Sequence, residues 1–146
     1  MSDEEMDTGA VVELLKDALR LQYRSALLYA MAAGSARGLD QIAFSDLCRE
    51  WAGAELDDAR RLVEKVAALG GQPPTEVAPI RWSDDAAKIG RILVDCEDET
   101  LEALHSVIPA TGQEARSEAL EHLMEHLILR KQEQVDRILM ALGETE

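Results

Sequence analysis

The sequence predicts an all-α protein, a bundle of four long helices with one extended connection in the middle of the chain. Three observations carry that expectation. Apolar residues make up 47% of the chain and aromatics only 3%, and the prominence of Ala, Leu, Glu and Arg favours helices over sheets. Apolar positions recur at alternating three- and four-residue steps through four separate segments. All four prolines fall between those segments, where they stop helices. At 146 residues the whole chain, 1–146, reads as one domain, long enough to bury a single sizeable core.

The first helix is expected over about 10–33, with Val12, Leu15, Leu19, Ala26, Tyr29 and Ala33 on one stripe if Gln22 is counted as a member. "GSARG" (34–38) supplies two glycines that end it. The second helix is expected over about 40–69, starting near Asp40 and stopping at "LGG" followed by "QPP". Its inward stripe is Phe44, Cys48, Trp51, Glu55, Asp58, Leu62 and Leu69, with Val66 beside it. Residues 70–83 carry three prolines and two glycines with little periodicity. That connection is longer than an ordinary helix-to-helix turn, and it lets the next helix start at the far side of a bundle. Ser83, ahead of Asp84 and Asp85, is the expected N-cap of a third helix over about 84–107. Its stripe runs through Ile89, Leu93, Cys96 or Glu97, Thr100, Leu104 and Val107. "PATGQ" (109–113) breaks it, and the fourth helix, about 114–142, presents Leu120, Met124, Leu127, Lys131, Gln134, Ile138 and Ala141 or Leu142.

The formal charge of −14 disfavours nucleic acid and anionic lipid as partners, because both would be repelled by the average surface. No run of eighteen apolar residues is present and "MSDEEMD" lacks the plan of a signal peptide, so a cytoplasmic protein without a membrane partner is expected. Cys48 and Cys96 have no C-x-x-C spacing and read as reduced, packed thiols.

Three of the four stripes share one oddity. Gln22 interrupts the first, Glu55 and Asp58 the second, and Lys131 and Gln134 the fourth, each near the middle of its helix. Such groups are costly to bury unpaired, and their matching depth predicts that they meet. In carboxylate di-iron bundles two helices each give one Glu and two each give a Glu-x-x-His pair, the i, i+3 spacing putting both ligands on one inward face. Here the pair positions hold Glu55-x-x-Asp58 and Lys131-x-x-Gln134.

On these residues the chain resembles the ferritin-like superfamily, bacterioferritin in particular. "LQYRSALLYA" (21–30) is similar to the family's Leu-Glu followed by a Tyr seven residues after the Glu. "AELDDARRLVEKVAALGGQP" (54–73) resembles its Glu-x-x-His-Ala-x-Arg-Leu run ending in Leu-Gly-Gly-x-Pro. "ILRKQEQVDRILMALG" (128–143) resembles the fourth-helix segment with His-x-Asp changed to Gln134-Val-Asp136. The resemblance implies a ferritin-like four-helix bundle, up-down-down-up, with a long crossover between the second and third helices. It puts the family's first-helix Glu on Gln22 and its Tyr on Tyr29. Glu55 is kept, the second-helix His becomes Asp58, the third-helix Glu matches Glu97, and the fourth-helix pair lands on Lys131 and Gln134. A shift of 76 residues places Lys131 on Glu55 and Gln134 on Asp58, a trace of the family's internal two-fold symmetry.

The substitutions change the chemistry that the resemblance implies. Glu55, Asp58 and Glu97 would be left as vestigial or weak metal ligands, with Lys131 projecting among them and Gln22, Tyr29 and Gln134 completing the cluster. At ~4 Å and an effective dielectric near 20, a cation-cation contact costs about 4 kcal/mol, roughly three powers of ten in affinity. The expected centre is therefore a salt-bridge cluster without cofactor, in a non-catalytic structural or interaction module. Iron or another divalent ion would bind only at low affinity. The alternative is an iron-binding ferroxidase or storage protein with unusual ligands. The family's haem-binding Met position holds Leu56, so no haem is implied. The resemblance also implies a homo-oligomer, with a dimer through the first two helices favoured over a 24-subunit cage, since the chain stops about where the fourth helix ends.

Remaining features read as structural. His122-Leu-Met-Glu125-His126 matches the H-x-x-E-H string of one zinc protease class, but only twenty residues follow it, and solvent-facing or interface histidines are expected, with adventitious divalent metal binding as the alternative. His105 suits the negative end of its helix. Tyr23, Arg20, Arg24, Arg60 and Arg61 lie off the stripes and are expected in surface ion pairs or a dimer face, and Trp51 as a core wedge.

Overall fold

The computed structural model describes residues 6–38, 41–112 and 114–144. Asp40, the expected start of the second helix, Gln113 of the expected break, and residues 1–5 of the acidic N-terminus lie outside them. The described residues form four helices, α1 (Thr8–Ser35), α2 (Gln41–Ala68), α3 (Ala86–Val107) and α4 (Ala115–Ala141), with a single 3-10 turn, Ile108–Ala110, before α4 and no strand. Among the described residues no helix is long and apolar enough to cross a membrane.

The helix ends follow local chemistry. Asp7 caps α1 by accepting from the Ala10 amide at 3.1 Å. Asp85, not Ser83, caps α3: its carboxylate accepts from the Lys88 amide at 2.9 Å, while Ser83 accepts from the Asp85 amide one step earlier. The aspartate reaches the third amide of the helix, and the serine is left to shape the approach. At the end of α2, Gly70 takes φ +86° and Gly71 returns its amide to the Val66 carbonyl, a Schellman cap. Gly143 (φ +76°) and Glu144 close α4 in the same way.

Contacts at the ends fix the topology. The Met6 amide, just before α1, donates to Glu114 at the start of α4. The end of α1 pairs its backbone with the start of α3, Arg37 donating to the Asp84 carbonyl and Ala86 to that of Arg37. Thus α1 and α4 run one way and α2 and α3 the other, up-down-down-up. The connection after α2 runs along the length of α1 instead of merely crossing the bundle end. Gly71 lies against Val12, Tyr23 donates to the Pro74 carbonyl, the Ala78 amide donates to that of Arg20, and Trp82 donates to Ser35. Arg24, expected at the surface, is buried beneath this strap, donating to the carbonyls of Pro79 and Cys96 and pairing with Glu99.

The core divides in two. Toward the α1 start lie Leu15, Leu19, Leu62, Leu104, Met124 and Leu127; toward its end lie Leu28, Trp51, Ile89, Leu93 and Ile138. Trp51 packs edge-on against Tyr29 with ring centres 5.7 Å apart. Cys48 and Cys96 are free thiols buried in the second cluster. Between the two clusters lies a polar layer.

Candidate functional site

All four helices contribute to that layer. α1 supplies Gln22 and, one turn on, Ser25; α2 supplies Glu55 and Asp58; α3 supplies Glu97; α4 supplies Arg130, Lys131 and Gln134. Gln22, Glu55, Glu97 and Lys131 have no solvent exposure. Of the residues left open in α3, both Cys96 and Glu97 are buried, and it is Glu97 that reaches the centre.

Lys131 is the hub. Its Nζ lies 2.5 Å from Glu55 Oε2 and 3.1 and 3.3 Å from the two oxygens of Glu97. Gln22 Nε2 shares Glu55 Oε2, donating to it at 2.5 Å and to the Glu55 carbonyl at 2.8 Å, and Gln134 Nε2 donates to the other carboxylate oxygen, Oε1, at 2.9 Å. Ser25 donates to Glu97. Asp58 stands apart from Lys131: its partner is Arg130, whose guanidinium also approaches Glu55 Oε1 at 4.0 Å from the half-buried rim. Tyr29 is fully buried beside the cluster, and its hydroxyl has no hydrogen-bond partner among the described residues.

The electrostatics follow this unequal sharing. Burial alone would raise the Glu55 carboxyl, but the adjacent ammonium and the donors from Gln134 and Gln22 outweigh it and hold Glu55 below the usual carboxylate value. For Glu97 burial prevails: with Glu55 repelling it and Lys131 farther away, it is pushed up to about 7. Burial would strip the Lys131 proton, yet Glu97 and Glu55 keep its pKa above normal. Burial also raises Asp58 despite Arg130, and burial with two nearby carboxylates raises Tyr29 far above its ordinary value. The layer thus joins Lys131 to Glu55 and Glu97 and Arg130 to Asp58, with Glu97 the carboxyl that burial raises most clearly.

Arg130 and Ser25 are the members that stripe-reading missed. Arg130 sits on the flank of the α4 stripe and arrives through the length of its side chain. Ser25 is one turn from Gln22 on α1, but a small hydroxyl leaves no mark on an apolar pattern. His122 and His126, expected to face solvent or an interface, are exposed, as is His105 near the end of α3. Among the described residues no group of three or more His, Cys, Asp or Glu side chains is arranged to hold a metal ion.

Residues 12–146 match the family Ferritin, described as the ferritin-like domain, and the chain belongs to that family. Solved structures agree on the fold. A ferritin-like, diiron-carboxylate protein from Bacillus anthracis superposes with a TM-score of 0.87 at 20% identity, covering 97% of this chain and 99% of that one. The bacterioferritin-related protein of Bacteroides fragilis, a dodecameric thioferritin, gives 0.86 at 14% identity, with 95% and 88% covered. The bacterioferritin of Rhodobacter capsulatus, solved with a metal-free dinuclear site and haem iron, gives 0.81 at 18% identity, with 92% and 84% covered. No curated protein matches the chain.

Proposed function

We propose that in this ferritin-like bundle an internal lysine replaces the metal pair, and that the protein serves as a non-catalytic structural or interaction module. The observation that carries the reading is the Lys131 ammonium, without solvent exposure, seated between Glu55 and Glu97. Two divalent ions do not fit this donor set. Each unit of charge placed ~4 Å from the ammonium costs about 4 kcal/mol at an effective dielectric near 20. Both Glu55 oxygens are already satisfied, Asp58 is turned to Arg130, and Gln22 and Gln134 offer only neutral amides in place of anionic or imidazole ligands. Weak binding of a single divalent ion is the most that Glu55, Asp58 and Glu97 would give. The Rhodobacter capsulatus bacterioferritin, with its metal-free dinuclear site, supports the view that such a bundle stands without metals.

The protein is taken to act in the cytoplasm as a homo-oligomer, a dimer in preference to a cage. Exposed Leu27 and Met31 on α1 and Leu56 on α2 offer the apolar face for it. The charge of −14 speaks against nucleic acid or anionic membrane as partner, and Leu56 where relatives carry a haem Met speaks against haem.

The alternative, a ferroxidase or iron store with unusual ligands, draws on the survival of Glu55 and Glu97 at the centre. Anaerobic titration with ferrous and zinc ions, followed by oxygen uptake, separates the two. The native protein should bind neither ion tightly at the centre and consume no oxygen above background, and Lys131→Glu should strengthen binding at least a hundredfold. Tight uptake of two ferrous ions by the native chain with oxygen consumption would establish the alternative.

A further inference from the structure

The outward face of α4 carries a pair of groups that the central cluster does not use. His122 and His126 are both exposed, and at i, i+4 they stand one above the other on the same side of the helix, with Cβ atoms about 5–6 Å apart. Two imidazoles at this spacing bracket one ion, each nitrogen reaching about 2.0–2.1 Å from it, the geometry that helical zinc motifs use. Glu125 Oε2 lies 3.8 Å from His122 Nδ1. At that distance the carboxylate is not a hydrogen-bond acceptor for the ring, but it sets a negative charge beside the pair of imidazoles. Glu118 and Glu121 stand on the same half of the helix and add to the attraction of the net negative charge for cations.

We propose that His122 and His126 form a surface site for one borderline divalent ion of the Zn2+, Ni2+ or Cu2+ class. Since no third ligand is assembled beside them among the described residues, the rest of the coordination sphere belongs to water or to a donor from another molecule. The site lies on the solvent side of α4, whereas Lys131 and Gln134 lie on its inward side, so it is independent of the central cluster.

The test is calorimetric titration of the intact protein with Ni2+ and Zn2+, paired with histidine ring NMR during Ni2+ addition. One equivalent should bind with a dissociation constant in the micromolar range, and the His122 and His126 resonances should broaden before that of His105. His122→Ala and His126→Ala should each weaken binding at least tenfold, while His105→Ala leaves it unchanged; circular dichroism checks that all three variants stay folded. Binding no tighter than that of the His122→Ala/His126→Ala double variant, or loss of equal size on replacing His105, would overturn the site. Neither result bears on the lysine-centred reading, which is tested through ferrous uptake and the Lys131→Glu variant.

Discussion

A lysine ammonium sealed from water holds its charge only while its counter-charges stay in place. Replacing Lys131 with Met leaves Glu55 and Glu97 facing each other with only Arg130, 4.0 Å from Glu55 at the rim, as a nearby cation, and loss of one partner from a buried ionic group costs about 3–5 kcal/mol. Urea unfolding of Lys131→Met should show a loss of that size. The combined variant Lys131→Met, Glu55→Leu, Glu97→Leu should recover most of it, since a packed apolar layer makes no desolvation demand. If the triple variant is less stable than the single one, the layer is held by more than its charges. Glu97 also gives a pH signature. Its folded value near 7 lies above the ordinary 4.5, so the folded protein keeps a proton that the unfolded chain releases. That contribution is full below about pH 4.5 and is lost as pH rises through 7. Glu55, held low, has the opposite sign, but its contribution falls away only in acid. From pH 6 to pH 8 the melting temperature should therefore drop by a few degrees, and Glu97→Gln should flatten the slope.

At the level of helices, the junction of α2 with the crossover leaves no room for a side chain at Gly71. A Cβ added at Gly71 would lie 2.6 Å from Val12 Cγ1 and 3.2 Å from Val66 Cγ1, both on stiff β-branched side chains. Gly71→Ala should cost about 1–3 kcal/mol by overcrowding, read from denaturant midpoints. Across the bundle, Asp58 and Arg130 tie α2 to α4 at the rim of the polar layer. A double-mutant cycle with Asp58→Ala and Arg130→Ala should give a coupling of about 1 kcal/mol, and a value near zero would make the pair ornamental. The sequence disclosed the four helices to within a few residues, because periodicity and breakers are local signals. It disclosed Gln22, Glu55, Lys131 and Gln134 through gaps in apolar stripes. It left Glu97 against Cys96 undecided because both lie on the inward half of α3, and it could not assign Arg130 to Asp58, because the reach of a long side chain across a seam is set by helix packing. The burial of Arg24 was hidden for a related reason: only the path of the crossover makes that face of α1 an interior one.

For the molecule as a whole, the exposed apolar residues Leu27, Met31 and Leu56 bear on self-association. Leu27→Glu/Leu56→Glu should move the protein to the monomer position in sedimentation or size-exclusion experiments while leaving its helical signal intact; an unchanged elution would remove α1 and α2 as the contact face. The route of the chain through the polar layer has one more consequence. The hairpin ahead of the crossover owns Gln22, Ser25, Glu55 and Asp58, and the hairpin after it owns Glu97, Arg130, Lys131 and Gln134. Cut at the strap, the first half is left with surplus anions and the second with surplus cations, so neither can close a dry interior alone. Each half is thus the other's counterion, and two copies that traded their second hairpins would keep every bond of the layer intact.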